Sequence, residues 1–299
     1  MEKAQWLEER RKGIGASDVA AIMGISPWKT AFQVYQEKRK EVKDWQGSEA
    51  TDWGVRMEPA IRQWYSDVSG RSVRLPDKIM FSTQYPFMLA TLDGFTDDGR
   101  VVEIKTARSS QGWGEPGTNE IPDYYALQVQ HQMIVTGFEV ADVPVSIAGG
   151  SPVLYEVPAD PVVQQMIIEA CIAFWQRVTE GNPPDPVTYA DAVARFGKAK
   201  GAGAVLVTDS DRDAVMILRD VRSQIKELEE KEESLKARLI ISMGDNGDTL
   251  ITPEGVPLVT YKLGKGRDTL DAKSLQKEQP DIYFKYLKTG EPSRRFLLK

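Results

Sequence analysis

The chain has 299 residues, of which 41% are hydrophobic and 27% charged, a composition typical of a globular protein that buries its own core. Its single cysteine, Cys171, excludes an internal disulfide, and no run of about 18 apolar residues predicts a membrane span. The net charge of −6 excludes a uniformly basic nucleic-acid-binding protein, so any DNA-binding face must gather its cations locally. The charged N-terminus lacks the apolar segment of a signal peptide, and we expect a cytoplasmic protein.

Hydrophobic periodicity and capping residues predict the elements of the first 180 residues. In chain order we expect helices at 13–24, 31–40 and 53–68, strands at 87–95 and 100–106, a helix at 123–136, strands at 140–147 and 153–157, and a helix at 161–180. The tripeptide Asp97-Asp98-Gly99 between the first two strands is typical of a hairpin turn.

The composition changes after residue 180, where GNPPDP and then GKAKGAG interrupt the periodic segments. We therefore predict a first domain at 1–186 and a C-terminal extension at 187–299. Within the extension, apolar residues at alternating spacings of three and four predict an a/d seam on a helix of about 50 Å over 210–243. The seam consists of Leu218, Val221, Ile225, Leu228, Leu235 and Leu239, with Glu232 in place of one member. We interpret it as one side of an intramolecular helix hairpin, in preference to a free coiled coil, followed by a small α+β cap.

Two acidic residues of the predicted hairpin lie opposite each other. If the turn is centred on Asp98, Asp93 faces Glu103, and opposed residues have Cβ atoms about 4.5–5.5 Å apart. Two carboxylates at that distance repel, and a divalent cation between them removes the cost. Alternation along the second strand points Glu103 and Lys105 to one face and the apolar residues to the other. Two acids and a lysine on adjacent strands are the groups that metal-assisted phosphodiester hydrolysis requires.

Each of these signals has a simpler alternative. The spacing of Asp93, Glu103 and Lys105 also suits a salt-bridged hairpin at the surface. Glu58 shares a helical stripe with apolar residues and adds a third acid, but it also suits an ordinary i,i+4 pair with Arg62. From the spacing alone, both interpretations of Glu58 stay open.

Four segments together resemble the YqaJ-type viral recombinase family, to which the phage lambda exonuclease is related. They are GIGASDVAAIMGISPWKT at 13–30, WGVRMEPAIRQWY at 53–65, LATLDGFTDDGRVVEIKT at 89–106 and YYALQVQHQMIVTG at 124–137. They follow the family's order, which makes the set more specific than any one motif. The resemblance implies an α/β fold, with a restriction-endonuclease-like core whose mixed central sheet is flanked by helices. The C-terminal long helix and small α+β extension have no counterpart in the lambda enzyme.

The resemblance also implies roles for residues of the predicted metal site. Asp93 and Glu103 match the metal-binding acids of the family, and Ile104 matches the position whose backbone carbonyl also reaches the metal. Lys105 matches the catalytic lysine, and Glu58 matches the helical acid at the site. The implied cofactor is Mg²⁺, with Mn²⁺ able to replace it.

Residues outside the hairpin receive roles in the same way. Gln128 matches the first glutamine of the QVQ helix at the catalytic site. Arg10 and Ser17 match the pair that grips the DNA 5′ phosphate, with Arg11 as an alternative to Arg10. A helix that begins near Ser17 would present free N–H groups to an anion, and a guanidinium can grip two phosphate oxygens. The alternative is that Ser17 or Asp18 caps the helix and the arginines are solvated.

The expected function is a DNA exonuclease that acts 5′→3′ on linear double-stranded DNA and leaves 3′ single-stranded tails for phage-type homologous recombination. The direction comes from the resemblance, which also suggests a ring of three subunits and a single-strand annealing protein as partner. The alternatives are a structure-specific endonuclease on the same core and a non-catalytic DNA-binding or scaffold protein. Residues 205–299 could in addition bind a partner.

Three further sets of residues have two interpretations each. His131, the only histidine, suits a packing or polar-contact role better than a catalytic triad. Cys171 lies in an apolar segment and suits the core. The tryptophans are either packing residues or platforms for unpaired bases; they are Trp28, Trp45, Trp53 and Trp113.

Overall fold

The computed structural model describes residues 3–43, 47–199, 201, 203–245, 247–290 and 292–298. It divides into two compact units, Met1–Arg195 and Phe196–Lys299. Among the described residues, no helix combines the length and the apolar character needed to cross a membrane.

The helices of the first part of the chain are α1 (Lys3–Arg11), α2 (Val19–Ile22), α3 (Ala31–Lys38), α4 (Glu49–Ser69), α5 (Asp123–Thr136), α6 (Pro161–Glu180) and α7 (Tyr189–Phe196). Its strands are β1 (Ile14–Gly15), β2 (Val73–Arg74), β3 (Met80–Phe81), β4 (Met88–Ala90), β5 (Gly94–Thr96), β6 (Arg100–Val102), β7 (Lys105–Ala107), β8 (Val140–Ile147) and β9 (Val153–Pro158). The predicted bounds of α5 and α6 agree with the structure. Their ends follow from left-handed glycines, Gly137 at φ 76° and Gly181 at φ 71°.

Three of the predicted elements have a different form in the structure, and one of them is the strand expected at 100–106, which is divided into β6 and β7. The glycine-rich segment from Gly13 does not open a helix directly, because Ile14 and Gly15 first pair as β1 with β4. The pairing requires glycine at position 13, because a Cβ there would collide with the Phe87 carbonyl. The predicted strand at 87–95 is two strands in two sheets, because β4 pairs with β1 and β3 whereas β5 pairs with β2 and β6.

The central sheet is mixed and contains the predicted hairpin. β5 and β6 are antiparallel, with Gly94 opposite Val102 and Phe95 opposite Val101, as expected for a turn centred on Asp98. β6 and β7 both run parallel to β8 along the same edge, and β9 is antiparallel along the other. Their registers on β8 are continuous, so β6 and β7 are one strand that is interrupted at residues 103–104.

Helices cover both faces of this sheet, as predicted. On one face, side chains of β6, β8 and β9 join those of α2, α5 and α6 in the main core. On the other face, Ile61 and Tyr65 of α4 pack against Val102 and Ile104. The Tyr65 hydroxyl also donates to Asp142 Oδ2 of β8 at 2.5 Å, which fixes α4 on the sheet.

The division between the units lies at residue 195, beyond the boundary predicted after residue 186. Asp191 of α7 is buried, and its Oδ1 accepts a hydrogen bond from Thr30 Oγ1 at 3.1 Å. Its Oδ2 accepts from the backbone N–H groups of Val187 and Thr188. These bonds attach the segment after Pro186 to the first unit.

The second unit contains α8 (Asp209–Met243), β10 (Thr249–Ile251), β11 (Pro257–Thr260), α9 (Ala272–Glu278) and α10 (Pro280–Tyr286). The long helix has the predicted extent, and β10 and β11 form an antiparallel pair around the turn at Gly255. The predicted intramolecular helix hairpin is absent from the described residues. The other helices of this unit have seven residues each, and the apolar seam of α8 is largely exposed.

Candidate active site

Asp93 and Glu103 meet where the hairpin strands end. Asp93 directly precedes β5 and Glu103 directly follows β6, so the register of the hairpin places them opposite each other. The backbone N–H of Ile104 donates to Asp93 Oδ2 at 2.9 Å, and Glu103 is almost completely buried. This arrangement is incompatible with a salt-bridged hairpin at the surface, the alternative that the sequence left open.

Glu103 is held by three donors from two elements. Its Oε1 accepts from Lys105 Nζ and from Gln128 Nε2, each at 2.5 Å. Its Oε2 accepts from Gln132 Nε2 at 2.6 Å. Lys105 Nζ also donates to Gln128 Oε1 at 3.2 Å and lies 4.7 Å from the centroid of the Tyr125 ring. Charge-assisted hydrogen bonds of this kind fix the carboxylate and the ammonium in orientation.

Helix α4 brings a third acid to the same place. The charges of Glu103 and Lys105 act on Glu58, which is half-buried and also lies 4.0 Å from Arg62 Nη2. Arg62 in turn donates from Nε to the Asp93 carbonyl at 3.2 Å. Glu58 is therefore both an i,i+4 partner of Arg62 and a neighbour of the hairpin acids, so the two interpretations of this residue are compatible.

The pKa values of these groups show that negative charge is concentrated at the site. Burial and, after it, the charge of Glu103 raise the pKa of Asp93 to about 8. Burial also raises the pKa of Glu58, against the opposing charge of Arg62. Burial would lower the pKa of Lys105, but the charges of Glu103 and Asp93 outweigh it and raise the pKa.

The donor set suits a hard divalent cation. Asp93 and Glu103 supply carboxylate oxygens from two neighbouring chain segments, and Asp93 is desolvated beside the second acid. Carboxylate oxygens are the ligands that Mg²⁺ takes in proteins. The described residues contain no group of three or more His, Cys, Asp or Glu arranged to hold a metal ion. A cation bound by Asp93 and Glu103 would therefore complete its coordination with a backbone carbonyl, water or substrate oxygens.

A second polar cluster surrounds Asp18, at the start of α2. Arg10 Nη2 lies 3.1 Å from Ser17 Oγ and 3.4 Å from Asp18 Oδ1. Ser17 is exposed, and the side chain of Arg10 is partly exposed. Arg11 instead pairs with Glu8 at 2.8 Å. The structure thus brings together Arg10 and Ser17, the pair that the sequence singled out.

Asp18 belongs to the scaffold of this cluster. It is completely buried and accepts a hydrogen bond from the N–H of Gly15, which precedes it in the chain. Asp18 stands at the N-cap position of α2, but its side chain makes no capping hydrogen bond to that helix. Lys38 Nζ lies 2.7 Å from Oδ2, and Lys29 Nζ lies 3.8 Å from Oδ1. Burial would raise the pKa of Asp18, but the charges of these lysines and of Arg10 hold it well below its usual range.

The remaining candidate residues occupy different environments. His131 is buried in α5 with Nε2 3.1 Å from the Leu89 carbonyl, and Cys171 is buried in the core. Trp28 is 65% exposed and packs against Tyr124 and Tyr125, with ring centroids 4.8 and 5.9 Å away. Of the other tryptophans, Trp113 packs against Tyr125 and Tyr155, Trp53 is exposed, and Trp45 lies outside the described residues.

The sequence did not identify Gln132, Lys29 or Lys38 as members of these clusters. A signal existed for Gln132, because it follows Gln128 by four residues on a helix and therefore shares its face. The sequence contains no such signal for Lys29 or Lys38, because each reaches Asp18 only through the tertiary arrangement of the N-terminal segments.

The central sheet is mixed and has helices on both faces. Two acids and a lysine lie at the break in its hairpin strand. Together these features define a restriction-endonuclease-like α/β protein. The fold is shared by the alkaline exonuclease LHK-Exo from Laribacter hongkongensis, with a TM-score of 0.50 at 18% identity over 60% of this chain and 94% of that chain. Its complex with dAMP gives a TM-score of 0.51 over the same coverage.

Sequence comparison gives the family. Residues 5–139 match the YqaJ-like viral recombinase domain. The chain is also 30% identical to the YqaJ protein of Bacillus subtilis (strain 168) over 311 aligned positions, covering 100% of this chain and 95% of that protein. The chain therefore belongs to the YqaJ-like viral recombinase family.

Proposed function

We propose that this protein is a divalent-metal-dependent DNA exonuclease that degrades linear double-stranded DNA in the 5′→3′ direction and leaves 3′ single-stranded tails for phage-type recombination. The observation that carries the proposal is the convergence of Asp93, Glu103 and Lys105 at the break between β6 and β7. Membership of a recombinase family and a fold shared with an alkaline exonuclease support it.

In this proposal Asp93 and Glu103 hold the cation, Mg²⁺ or Mn²⁺, with the Ile104 carbonyl as a further ligand and Glu58 beside them. When bound, the cation neutralises charge at the scissile phosphate and makes a water molecule more acidic. The hydrogen bond from the Ile104 N–H orients the Asp93 carboxylate, and Gln128 and Gln132 orient Glu103. These partners set the direction in which the acids present their oxygens.

Lys105 acts on the reacting atoms. Its ammonium is held at Glu103 and Gln128, so one of its three N–H donors remains for a water molecule or a phosphate oxygen. A positive charge at that position stabilises the negative charge that develops on the phosphate in the transition state. Gln128 acts through Lys105 and Glu103 and is therefore a positioning residue.

The Arg10–Ser17 pair accounts for the direction of degradation. A guanidinium beside an exposed hydroxyl can bind the oxygens of a terminal 5′ phosphate. Lys29 and Lys38 neutralise Asp18, which removes the charge that would oppose such a phosphate. Arg10 is the better candidate than Arg11, because only Arg10 lies beside Ser17.

The partners follow from the same proposal. Double-stranded DNA is the substrate, and the family suggests an assembly of three subunits and a single-strand annealing protein that receives the 3′ tail. A structure-specific endonuclease on the same core is the second candidate, because the metal site by itself does not require a DNA end.

One assay separates these possibilities. Linear duplexes with 5′-phosphate or 5′-hydroxyl ends and a closed circular duplex are incubated with Mg²⁺, with Mn²⁺ or with a chelator. The expected result is degradation of linear DNA only, faster from 5′-phosphate ends, and none with chelator or with Asp93→Asn. That variant removes a charge but keeps an oxygen for the Ile104 N–H.

The matched control is Asp98→Asn, at the exposed tip of the same hairpin, where the carboxylate pairs with Arg71. It should cut like the wild type. Cleavage of the circle would establish the endonuclease, and undiminished cleavage by Asp93→Asn would refute the proposed site.

A further inference from the structure

The apolar seam of α8 has the properties of an interface, and among the described residues it is largely exposed. Thr208 caps the helix, which continues for 35 residues. Its described seam residues from Val221 to Leu239 are 36% to 64% exposed. The seam runs from Leu218 to Leu239, about three heptads, and apolar side chains repeated at a and d positions over such a length are typical of coiled coils.

The heptad assignment identifies one unusual position. Leu218, Ile225 and Leu239 occupy a positions, and the d positions alternate with them. Glu232 takes the remaining a position, where it pairs with Lys236 Nζ at 2.6 Å and would be brought into the seam of any helix pair. A polar residue at a single a position specifies the register and the orientation of the partner at a cost in stability.

A parallel pair of α8 helices is disfavoured by this pattern. In-register parallel pairing would bring Glu232 against Glu232 of the second copy, and Lys231 at g against Lys236 at e of the second copy. Like charges in these positions are destabilising. A parallel pair would also align the two helix dipoles unfavourably.

The antiparallel register in which the two helices overlap along their full length has complementary charges. In that register Leu218 lies opposite Leu235 of the second copy, and Ile225 lies opposite Leu228 of the second copy. At the flanking e positions, Arg222 of each copy meets Glu229 of the other. Arg222 also lies beside Glu232 of the other copy, so the acid in the seam gains a second cation in addition to its own Lys236.

Shifting this register by one heptad removes the complementarity. With a shift of one heptad towards the C-terminus, Arg222 of each copy meets Lys236 of the other, and the two copies of Glu229 meet each other. With a shift of one heptad towards the N-terminus, the two copies of Arg222 meet each other. The register with the greatest overlap is therefore also the one in which the flanking e positions pair opposite charges.

We infer that α8 is a homotypic interaction surface, which binds the α8 of a second copy of this chain as an antiparallel two-stranded coiled coil in the full-overlap register. The inference does not rest on the proposed nuclease activity. It assigns the C-terminal unit the role of joining two chains through residues that belong to a different unit from the candidate active site.

Disulfide mapping in the full-length protein tests the orientation and the register. Leu218→Cys and Leu235→Cys variants are prepared separately, then mixed and oxidised. The expected result is a crosslinked dimer on a denaturing gel from the mixture and none from either variant alone. In the proposed register, two copies of position 218 are separated by 17 residues along the helix, which is about 25 Å. Cys171 is buried, and the parent chain controls for it.

A crosslink from Leu218→Cys alone would establish a parallel pair and overturn the proposal. The absence of any crosslink would overturn it as well. Because the gel reports only the covalent pair, assembly of the first unit into a trimer does not affect the result.

Charge exchange gives an independent measurement. Arg222→Glu or Glu229→Arg alone should weaken self-association at least tenfold, and the double exchange should restore it. The matched control exchanges Lys226 and Glu230, a pair on the outer face of the same helix, and should leave association unchanged. Failure of the double exchange to restore association would exclude this pairing of α8 helices.

Discussion

Both carboxylate oxygens of Glu103 accept hydrogen bonds from side chains, which are those of Lys105, Gln128 and Gln132. A carboxylate fixed in this way presents its remaining lone pairs in fixed directions. Substitutions of the three donors should therefore separate charge effects from positioning effects.

Lys105→Ala should stop turnover while DNA binding is largely retained. The ammonium is surrounded by Glu103, Gln128 and the Tyr125 ring, so little of it is available to grip the duplex. We expect the cleavage rate to fall by about 100-fold or more, with a dissociation constant measured in chelator within about threefold of the wild type. Loss of affinity in proportion to the rate would make Lys105 a binding residue.

Gln132→Met should weaken metal-dependent cleavage, because Glu103 Oε2 loses its donor. The expected effect is about 10–100-fold in the Mg²⁺ concentration required or in the rate. Gln130→Met on the same helix is the matched control. Gln130 bonds to the Pro158 carbonyl and the Asp160 N–H, so its loss should lower the melting temperature and leave the Mg²⁺ dependence unchanged. Identical Mg²⁺ dependence in both variants would contradict a positioning role for Gln132.

Arg10→Ala and Ser17→Ala should each abolish the preference for 5′-phosphorylated ends, because both groups face the same space beside Asp18. Arg11→Ala should keep that preference, since Arg11 pairs with Glu8. Degradation rates on 5′-phosphate and 5′-hydroxyl duplexes measure the effect. Equal rates on the two ends in the wild type would refute the phosphate role, whatever the variants do.

At the scale of elements, α5 serves the site and the core at the same time. Gln128 and Gln132 point to Glu103, whereas His131 between them is buried against the Leu89 carbonyl of β4. The helix therefore attaches the candidate site to the three-stranded sheet that contains β1. We expect this attachment to depend on pH through its single histidine.

The stability contributed by α5 should fall below pH 6.5. Burial lowers the pKa of His131 to about 4, despite the opposing effects of the Leu89 carbonyl and the Asp18 charge. As the pH falls from 6.5 towards 4, the unfolded chain binds the proton first, so stability is complete above this window and lost within it. The loss should reach about 2 kcal/mol at pH 5 relative to pH 7.5.

Urea denaturation of the wild type and of His131→Gln at both pH values measures this contribution. The amide of the variant keeps a donor for the Leu89 carbonyl but does not titrate. His131 is the only histidine, so the difference between the two proteins isolates its imidazole. Equal pH dependence in both proteins would show that His131 binds its proton at the same pH when folded and unfolded.

At the scale of the whole molecule, the chemistry and the proposed self-association belong to different units. Every proposed ligand of the metal and of the phosphate lies in Met1–Arg195, and α8 lies in Phe196–Lys299. Removal of the second unit should therefore affect association without removing the catalytic groups.

A fragment of residues 1–197 should fold and cleave linear DNA within a few-fold of the full chain. A fragment of residues 1–186 should be less stable by about 1–3 kcal/mol, because it lacks Asp191 and leaves the Thr30 hydroxyl without its acceptor. Circular dichroism and the exonuclease assay on both fragments test this. A folded but inactive 1–197 fragment would show that the second unit contributes to catalysis.

The sequence by itself determined the elements whose stability is local. Helices α5, α6 and α8 carry their own periodicity and caps, and the register of the β5–β6 hairpin followed from its turn. Opposing acids at Asp93 and Glu103 were predictable because a hairpin fixes its partners through short-range geometry.

Contacts between distant segments were decided only by the tertiary structure. Gln132 reaches Glu103 across 29 positions, and Asp191 reaches Thr30 across 161, so neither pairing leaves a local pattern in the sequence. The break between β4 and β5 depends on which sheet each half joins, and that choice is made by non-local pairing. Burial has the same origin: Asp18 and His131 resemble ordinary polar residues in the sequence, and their shifted pKa values arise from the segments that fold over them.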